Sequence, residues 1–542
     1  MKEKIINMKK KDKILYILML VKYIFSICIT FVAFSNVKSK RYILIGIIEI
    51  ILIAFISNLL LKLNKKAGII VNSVLMLMYN AQMLVLYFAS SYISMIMLSN
   101  LGSVEDLSGK AFEYIFGIAF VIVLSVLPIK EIEFDKLTNY RIISAMLLVE
   151  LWFTFSFGNL YSPMYAYIDL TKQKINKIQQ ERANSKVTED KTELFYSEDI
   201  SDCIDKPDGL TDSPNIILIF TEGLSENIIQ DERDIMPNVR AFQEDALFFS
   251  NYYNHTFATY RGIIGQLYSG YQNDNYDSNS LISIQHILKD EGYYTVFFNT
   301  EPNNKEFTSY LEELGFDEVT DLGAEKKGAV DSVSDKDAYD ALYKLIEERN
   351  VDDKPIFVAM YTFGTHASLD SFNEKYGDGS DAMLNKFYNL DVWFGQFIDR
   401  FNSSDKFDDT LLVFTGDHCT YGDLDFNNSF PEATRVHTMI DRMPLCFYYK
   451  GIKSSVIDVN GRNSLDLAPT LLDYLDVNES NYFLGTSLFG NDDNYFDSYF
   501  EAEGGVMSTK NSQIAALSEA ENAEFFNMLN NYFIANQQFW EK

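Results

Sequence analysis

Thr259 stands in "NHTFATYRGIIGQLYSG" (residues 254–270), a stretch that follows the aromatic segment "LFFSNYY" and then turns apolar. Three other apolar runs end in groups suited to one kind of chemistry. "IILIFTE" closes on Glu222, "LLVFTGDH" on Asp417 and His418, and "IFVAMYTFGTH" delivers His366 a few residues past its run. Short apolar runs of this kind read as buried parallel strands, and the C-terminal edge of a parallel sheet gathers distant parts of a chain at one crevice. Two carboxylates, an imidazole and the Thr259 hydroxyl would give three oxygen ligands and one nitrogen. That mixture suits zinc, manganese or magnesium rather than copper or an iron–sulfur cluster. A threonine hydroxyl is a poor nucleophile alone; a divalent cation lowers its effective pKa and orients it.

Taken singly, each group also has a structural reading. Glu222 suits a helix N-terminus through the helix dipole, Thr259 suits an N-cap, and an Asp-His pair suits an exposed turn. His255, His286, His366 and His437 complete the five histidines of the chain and suit packed or solvated positions. Arg261 can pair with an acid or with a bound anion. The functional reading rests on the combination.

Positioning such a set requires a framework, and the chain supplies strands alternating with helices. Strands are expected at Leu247–Tyr253, Tyr293–Asn299, Pro355–Thr362, Thr410–Gly416 and Pro444–Lys450, besides the run that starts at Asn215. Helical stretches lie between them, among them "DKDAYDALYKLIEE" and "MLNKFYNLDVWFGQFIDRF". The alternation predicts an α/β domain with a mostly parallel sheet between helices.

The first 161 residues are different. Five apolar stretches, Leu15–Phe34, Tyr42–Leu61, Ala67–Leu98, Phe112–Ile129 and Ile142–Tyr161, each approach the ~20 residues that cross a bilayer. The first lacks a small-residue cleavage site and reads as a span, not a removed leader. Basic residues in "MKEKIINMKKKDK", "KLNKK" and "KEIEFDKLTNYR" place those segments on the cytoplasmic side, although "NVKSKR" dissents. Five spans with the N-terminus inside put everything after Tyr161 outside the cell; four would invert that result. The expected organisation is a membrane domain (1–161), a partly helical linker (162–213), an extracellular catalytic domain (214–490) and a C-terminal helical subdomain (491–542). The formal net charge of -30 argues against a nucleic-acid partner. Four cysteines without a close-spaced pair suggest neither a zinc knuckle nor a redox motif.

In order, "PNIILIFTEGLSE", "MPNVRAFQEDALFFSNYYNHTFATYRGIIGQLYSG", "YTFGTHASL" and "DDTLLVFTGDH" resemble the alkaline phosphatase/sulfatase superfamily. The resemblance is to its membrane-anchored branch of lipoteichoic acid synthases, other phosphoglycerol transferases and lipid A phosphoethanolamine transferases. It implies that Glu222, Asp417 and His418 ligate one divalent metal, manganese first, with zinc or magnesium as alternatives. It implies that Thr259 is the metal-bound nucleophile, with Thr256 as the competing position. His366 would contact the phosphoryl group or handle a proton, and His437 resembles a second pocket histidine. Arg442 resembles a basic residue preceding the next core strand, and Arg261 would supply a local cationic contact to substrate. The implied reaction moves phosphoglycerol from phosphatidylglycerol to a cell-surface glycan, glycolipid or teichoic-acid-type polymer through a threonine-linked intermediate. Phosphoethanolamine transfer, or hydrolysis of a phosphodiester or sulfate ester, is the alternative. The chain departs from lipoteichoic acid synthases after the nucleophile, where Tyr260 and Arg261 replace acidic residues, and in "NTEPNNKEF", which lacks their tryptophan and arginine. The implied location is the cell membrane, with the catalytic domain outside.

Overall fold

A computed structural model describes residues 10–37, 40–99, 111–157, 162–273, 279–323, 332–350, 353–366, 369–371, 373–433, 435–490, 495–502 and 505–539. The chain divides into two compact units, residues 1–101 with 110–179, and residues 102–109 with 180–542.

The first unit is helical: α1 (Lys10–Asn36), α2 (Ile43–Leu63), α3 (Lys65–Ala89), α4 (Ala111–Val126) and α5 (Lys136–Phe157), with the division between units falling inside α6 (Pro163–Asn184). Three segments, Asp12–Asn36, Lys40–Leu63 and Lys65–Ala89, are long and apolar enough to cross a membrane, and the apolar helix Phe112–Val126 is shorter. The unit is therefore a multi-pass membrane region. Helices satisfy their own backbone groups, which hydrocarbon requires. Two charges that interrupt the apolar runs, Lys22 and Glu49, are buried, as polar groups within a bilayer favour. Lys22 donates to Asn72 Oδ1 (2.5 Å) and to the Leu127 carbonyl (3.1 Å), and Glu49 accepts from the Ser162 hydroxyl. The basic N-terminal residues 1–9, the expected outer loop at 100–110 and the end of the fifth apolar stretch at 158–161 lie outside the described residues.

The second unit carries β1 (Asn215–Thr221), β2 (Leu247–Ser250), β3 (Tyr294–Asn299), β4 (Glu318–Asp321), β5 (Ile356–Thr362), β6 (Thr410–Gly416), β7 (Leu445–Tyr448) and β8 (Ser455–Asp458). Among the described residues they form one sheet in the order β4-β3-β5-β1-β6-β7-β2-β8. Its pairs are parallel except where β7 runs against β6 and β2. The central strand β1 is apolar on both faces because both are covered. Ile216, Leu218 and Phe220 enter one core, and Ile217 and Ile219 the other. The helices that position the site are α7 (Thr259–Tyr268), α8 (Asp335–Glu347) and α9 (Ala382–Ser403).

Several details differ from the expectation. β2 stops at Ser250 rather than Tyr253, because Asn251 takes a left-handed φ of 56° and turns the chain off the sheet. The edge strands β4 and β8 were not expected; each is four residues long and partly exposed, too short for an alternation to register. Beyond residue 490 a small antiparallel sheet of β9 (Tyr499–Ala502), β10 (Gly505–Ser508) and β11 (Ala515–Ala516) precedes the helix α10 (Glu519–Phe539).

Register is what matters for function. Thr221 is level with Gly416 of β6 on one side and Thr362 of β5 on the other. The residues that follow these three strands leave the sheet at one edge.

Candidate metal centre

Glu222, Asp417 and His418 meet at that edge, with one ligand atom from each within 4.8 Å of the others. All three are buried. His418 Nε2 lies 3.6 Å from Glu222 Oε1 and 3.5 Å from Asp417 Oδ2. Its Nδ1 is 2.7 Å from the Cys419 carbonyl, which can only accept, so Nδ1 carries a hydrogen and Nε2 is the nitrogen turned to the two carboxylates. Asp417 Oδ1 accepts from the N–H groups of Gly223 (2.8 Å) and His418 (2.7 Å). Asp417 Oδ2 is buried and has no hydrogen-bond partner among the described residues. A buried carboxylate oxygen left alone is costly.

The electrostatics describe the same deficit. Burial, with the Glu222 charge added, pushes the Asp417 carboxyl up to about 7. Burial pushes Glu222 upward too, but the His418 and His366 charges and hydrogen bonds from Tyr361 and Thr259 hold it below its ordinary value. Burial would lower His418, yet the two carboxylates raise it. Two carboxylates this close require a proton or a cation between them. The orphaned Oδ2, the outward Nε2 and the mixed oxygen–nitrogen set fit a divalent metal.

Thr259 reaches the cluster from the first residue of α7, its Oγ1 donating to Glu222 Oε2 at 3.0 Å. Ala258, just before it, is held at φ 86°, a region costing a non-glycine residue roughly 1–3 kcal/mol and found mainly at functional sites. The helix then lies hard against β6. Gln266 Nε2 donates to the carbonyls of Gly416 (3.0 Å) and Asp417 (3.2 Å), and Gly262 has no room for a Cβ beside the Asp417 carbonyl. A helix N-terminus of this kind favours an anion such as a phosphoryl group. Thr256 is engaged elsewhere: its Oγ1 donates to the Glu501 carbonyl at 2.7 Å and is buried.

Other candidates occupy varied places. His366 stacks on Phe363 with ring centroids 4.8 Å apart, and burial lowers its pKa. Arg261 is buried, with its Nε lacking a hydrogen-bond partner among the described residues. His437 accepts from the Met439 N–H (3.2 Å), packs near Phe500, and makes no hydrogen bond or ion pair with the triad among the described residues. Phe257, unremarked in the sequence, covers His418 at 4.5 Å between centroids.

Sequence reasoning missed the groups that hold the candidate ligands. Tyr361 donates to Glu222 Oε2 at 2.7 Å, and Thr365 Oγ1 to the Glu222 carbonyl at 2.6 Å. Arg435 donates to Ser225 Oγ (3.1 Å) and the Thr420 carbonyl (2.7 Å) and pairs with Asp441 (2.9 Å), fixing the segment after His418. Asp335 and Lys386 secure the loop after β5, through the Gly364 N–H (3.1 Å) and the His366 carbonyl (3.2 Å) respectively. The only available signal was polar residues interrupting apolar periods.

The family model described as sulfatase matches residues 214–477. No curated protein sequence matches the chain at a comparable level. Among solved structures, an alkaline phosphatase superfamily protein from Vibrio parahaemolyticus is 18% identical, with a TM-score of 0.52, covering 68% of this chain and 96% of its own. The integral membrane lipooligosaccharide phosphoethanolamine transferase A from Neisseria meningitidis is 12% identical, also with a TM-score of 0.52, covering 88% of this chain and 97% of its own. The lipoteichoic acid synthase LtaP from Listeria monocytogenes is 16% identical with a TM-score of 0.47, covering 62% and 93%. The segment that matches the sulfatase model holds all eight strands of the large sheet and the buried acid–acid–imidazole triad.

Proposed function

We propose that this chain is a membrane-embedded, metal-dependent phosphotransferase that moves a phospholipid head group to an extracytoplasmic acceptor through Thr259. The observation that carries the reading is the Thr259 hydroxyl, 3.0 Å from a carboxylate of the triad at a helix N-terminus. Glu222, Asp417 and His418 would hold a divalent cation, which lowers the pKa of a neighbouring hydroxyl and stabilises phosphoryl charge. Thr259 Oγ attacks phosphorus, the bond to the diacylglycerol oxygen breaks, and a threonine-linked phosphodiester forms. His366, starting as the neutral imidazole that its burial favours, takes the Thr259 proton and passes it to the leaving diacylglycerol oxygen. In the second half it takes the proton of an acceptor hydroxyl, which attacks phosphorus, and returns it to the departing Thr259 oxygen. Arg261 adds positive charge for the non-bridging oxygens. The five-helix reading of the membrane region sets the catalytic domain outside, within reach of lipid head groups.

A zwitterionic phosphoethanolamine donor is favoured over phosphatidylglycerol. The chain carries a net charge of -30, which repels an anionic lipid and tolerates an ammonium group. The fold likeness to the phosphoethanolamine transferase also extends through the membrane part, covering 88% of this chain. Manganese or zinc suits the donor set. The test is full-length protein in nanodiscs containing either phosphatidylethanolamine or phosphatidylglycerol, with diacylglycerol release measured. Metal-dependent release, faster from the ethanolamine lipid, supports the reading; preferential release from the glycerol lipid returns the donor to phosphatidylglycerol. No release from either, metal present, rejects it.

A further inference from the structure

A cavity of about 460 Å3 lies between the 436–442 segment and the turn at 512–514. Tyr253 and Ile440 are its buried residues, and Asn251, Val436, Arg442 and Gln513 also line it. We infer that this cavity is the acceptor subsite, and that it takes a sugar unit bearing an anionic group. The inference rests on the transferase reading above, which leaves the acceptor open.

Charge comes first. Arg442 is exposed, and among the described residues its guanidinium makes no hydrogen bond or ion pair. The cavity's one carboxylate, Asp441, is already paired with Arg435 at 2.9 Å. Arg442 is therefore the cavity's one cation without a direct ion pair among the described residues, its charge acting through space on the buried Glu226 and on Tyr253. A planar guanidinium suits phosphate or carboxylate through paired hydrogen bonds.

Shape and lining come next. Val436 is 71% exposed, a large apolar side chain open to solvent at the cavity wall. The lining combines apolar Val436 and Ile440 with the polar groups of Arg442 and Gln513, the mixture that a pyranose ring needs. The volume falls within the ~300–1,000 Å3 of small-ligand pockets.

Position ties the cavity to the metal centre. The Arg442 carbonyl accepts from the N–H of Glu226, four residues past Glu222 (2.9 Å). Asn254, five residues before Thr259, donates to the Met439 carbonyl (2.8 Å) and accepts from the Asp441 N–H (3.1 Å). One wall is thus fastened to both segments that carry the proposed chemistry, as an acceptor site requires.

The experiment uses the full chain in phosphatidylcholine nanodiscs, with glucose 6-phosphate, glucuronate and glucose as probes, followed by saturation-transfer NMR. The charged sugars should bind at least about 10-fold more tightly than glucose, and Arg442→Ala should remove that preference, as loss of a charged hydrogen bond predicts. Arg442→Lys should restore part of it, and Thr259→Ala should leave binding intact. The phosphate and carboxylate arms identify which anion the subsite prefers. Equal binding of all three sugars, no binding, or binding lost in Thr259→Ala but not in Arg442→Ala would overturn the inference. Diacylglycerol release by the wild-type chain is measured in parallel. In a parallel sample whose nanodiscs contain phosphatidylethanolamine and phosphatidylglycerol, absence of that release rejects the transferase reading itself, whereas Arg442-independent sugar binding rejects only the subsite.

Discussion

Replacing Gly262 by alanine should disable the site without touching any group that does chemistry. A Cβ built there falls 2.1 Å from the Asp417 carbonyl oxygen and 2.8 Å from its carbonyl carbon. Both contacts are with backbone, so no flexible side chain can yield. Relief requires α7 to retreat from β6 by roughly 1 Å, and Thr259 stands three residues earlier on the same helix. A displacement of ~1 Å at a reacting group costs on the order of 100-fold in rate, and overpacking of this kind costs about 1–3 kcal/mol of stability. The assay is metal-dependent diacylglycerol release in nanodiscs, with thermal unfolding of the same samples. Gly323→Ala is the control, because among the described residues a Cβ there meets nothing within 4 Å. Wild-type turnover in Gly262→Ala would refute the claim that close contact between α7 and the Asp417 backbone sets the position of the nucleophile.

Metal affinity should fall with acid. In the ion-free cluster burial pushes Asp417 up to about 7, and the pKa of His418 is also raised, so protons compete with the cation. Lowering the pH from about 7.5 to about 5.5 should weaken binding ~20-fold or more, and a pH-independent affinity in calorimetry would contradict this. The linkage sign agrees: the folded pKa of Asp417 exceeds the ordinary carboxylate value. Ion-free protein therefore loses stability as pH rises from about 4 through about 7, and added metal should raise the melting temperature more at the higher pH. Tyr361→Phe removes the 2.7 Å hydrogen bond to Glu222 and should weaken metal binding about 10–100-fold while the fold survives; unchanged affinity in a metal titration counts against it. Thr256→Ala loses one hydrogen bond to the Glu501 carbonyl, about 1 kcal/mol, and should retain turnover.

The central strands were legible because each is a continuous apolar run closed by a polar residue, the pattern of a parallel strand covered on both faces. Glu222, Asp417 and His418 were legible for the same reason, since each directly follows such a run. Tyr361 was not: inside "IFVAMYT" it reads as one more core aromatic, and only the β1–β5 register brings its hydroxyl to Glu222. Arg435 reads as a loop cation, yet it folds back onto Ser225 and Thr420, some 210 and 15 residues away in sequence. Thr256 and Thr259 share one polar stretch, and spacing alone could not separate them; in the fold Thr259 bonds to Glu222 whereas Thr256 bonds to the Glu501 carbonyl. The antiparallel turn at β7 and the small sheet after residue 490 arise from pairings between short segments with no strong alternation of their own.

The most direct measurement is the mass and position of a covalent adduct after incubation with head-group-labelled lipid and rapid acid quenching. The expected result is one head-group phosphate on the peptide containing Thr259, localised to that residue by fragmentation, dependent on divalent metal and absent in Glu222→Gln. A label on Thr256, a label formed equally without metal, or diacylglycerol release with no covalent species in a quench faster than turnover would contradict the account.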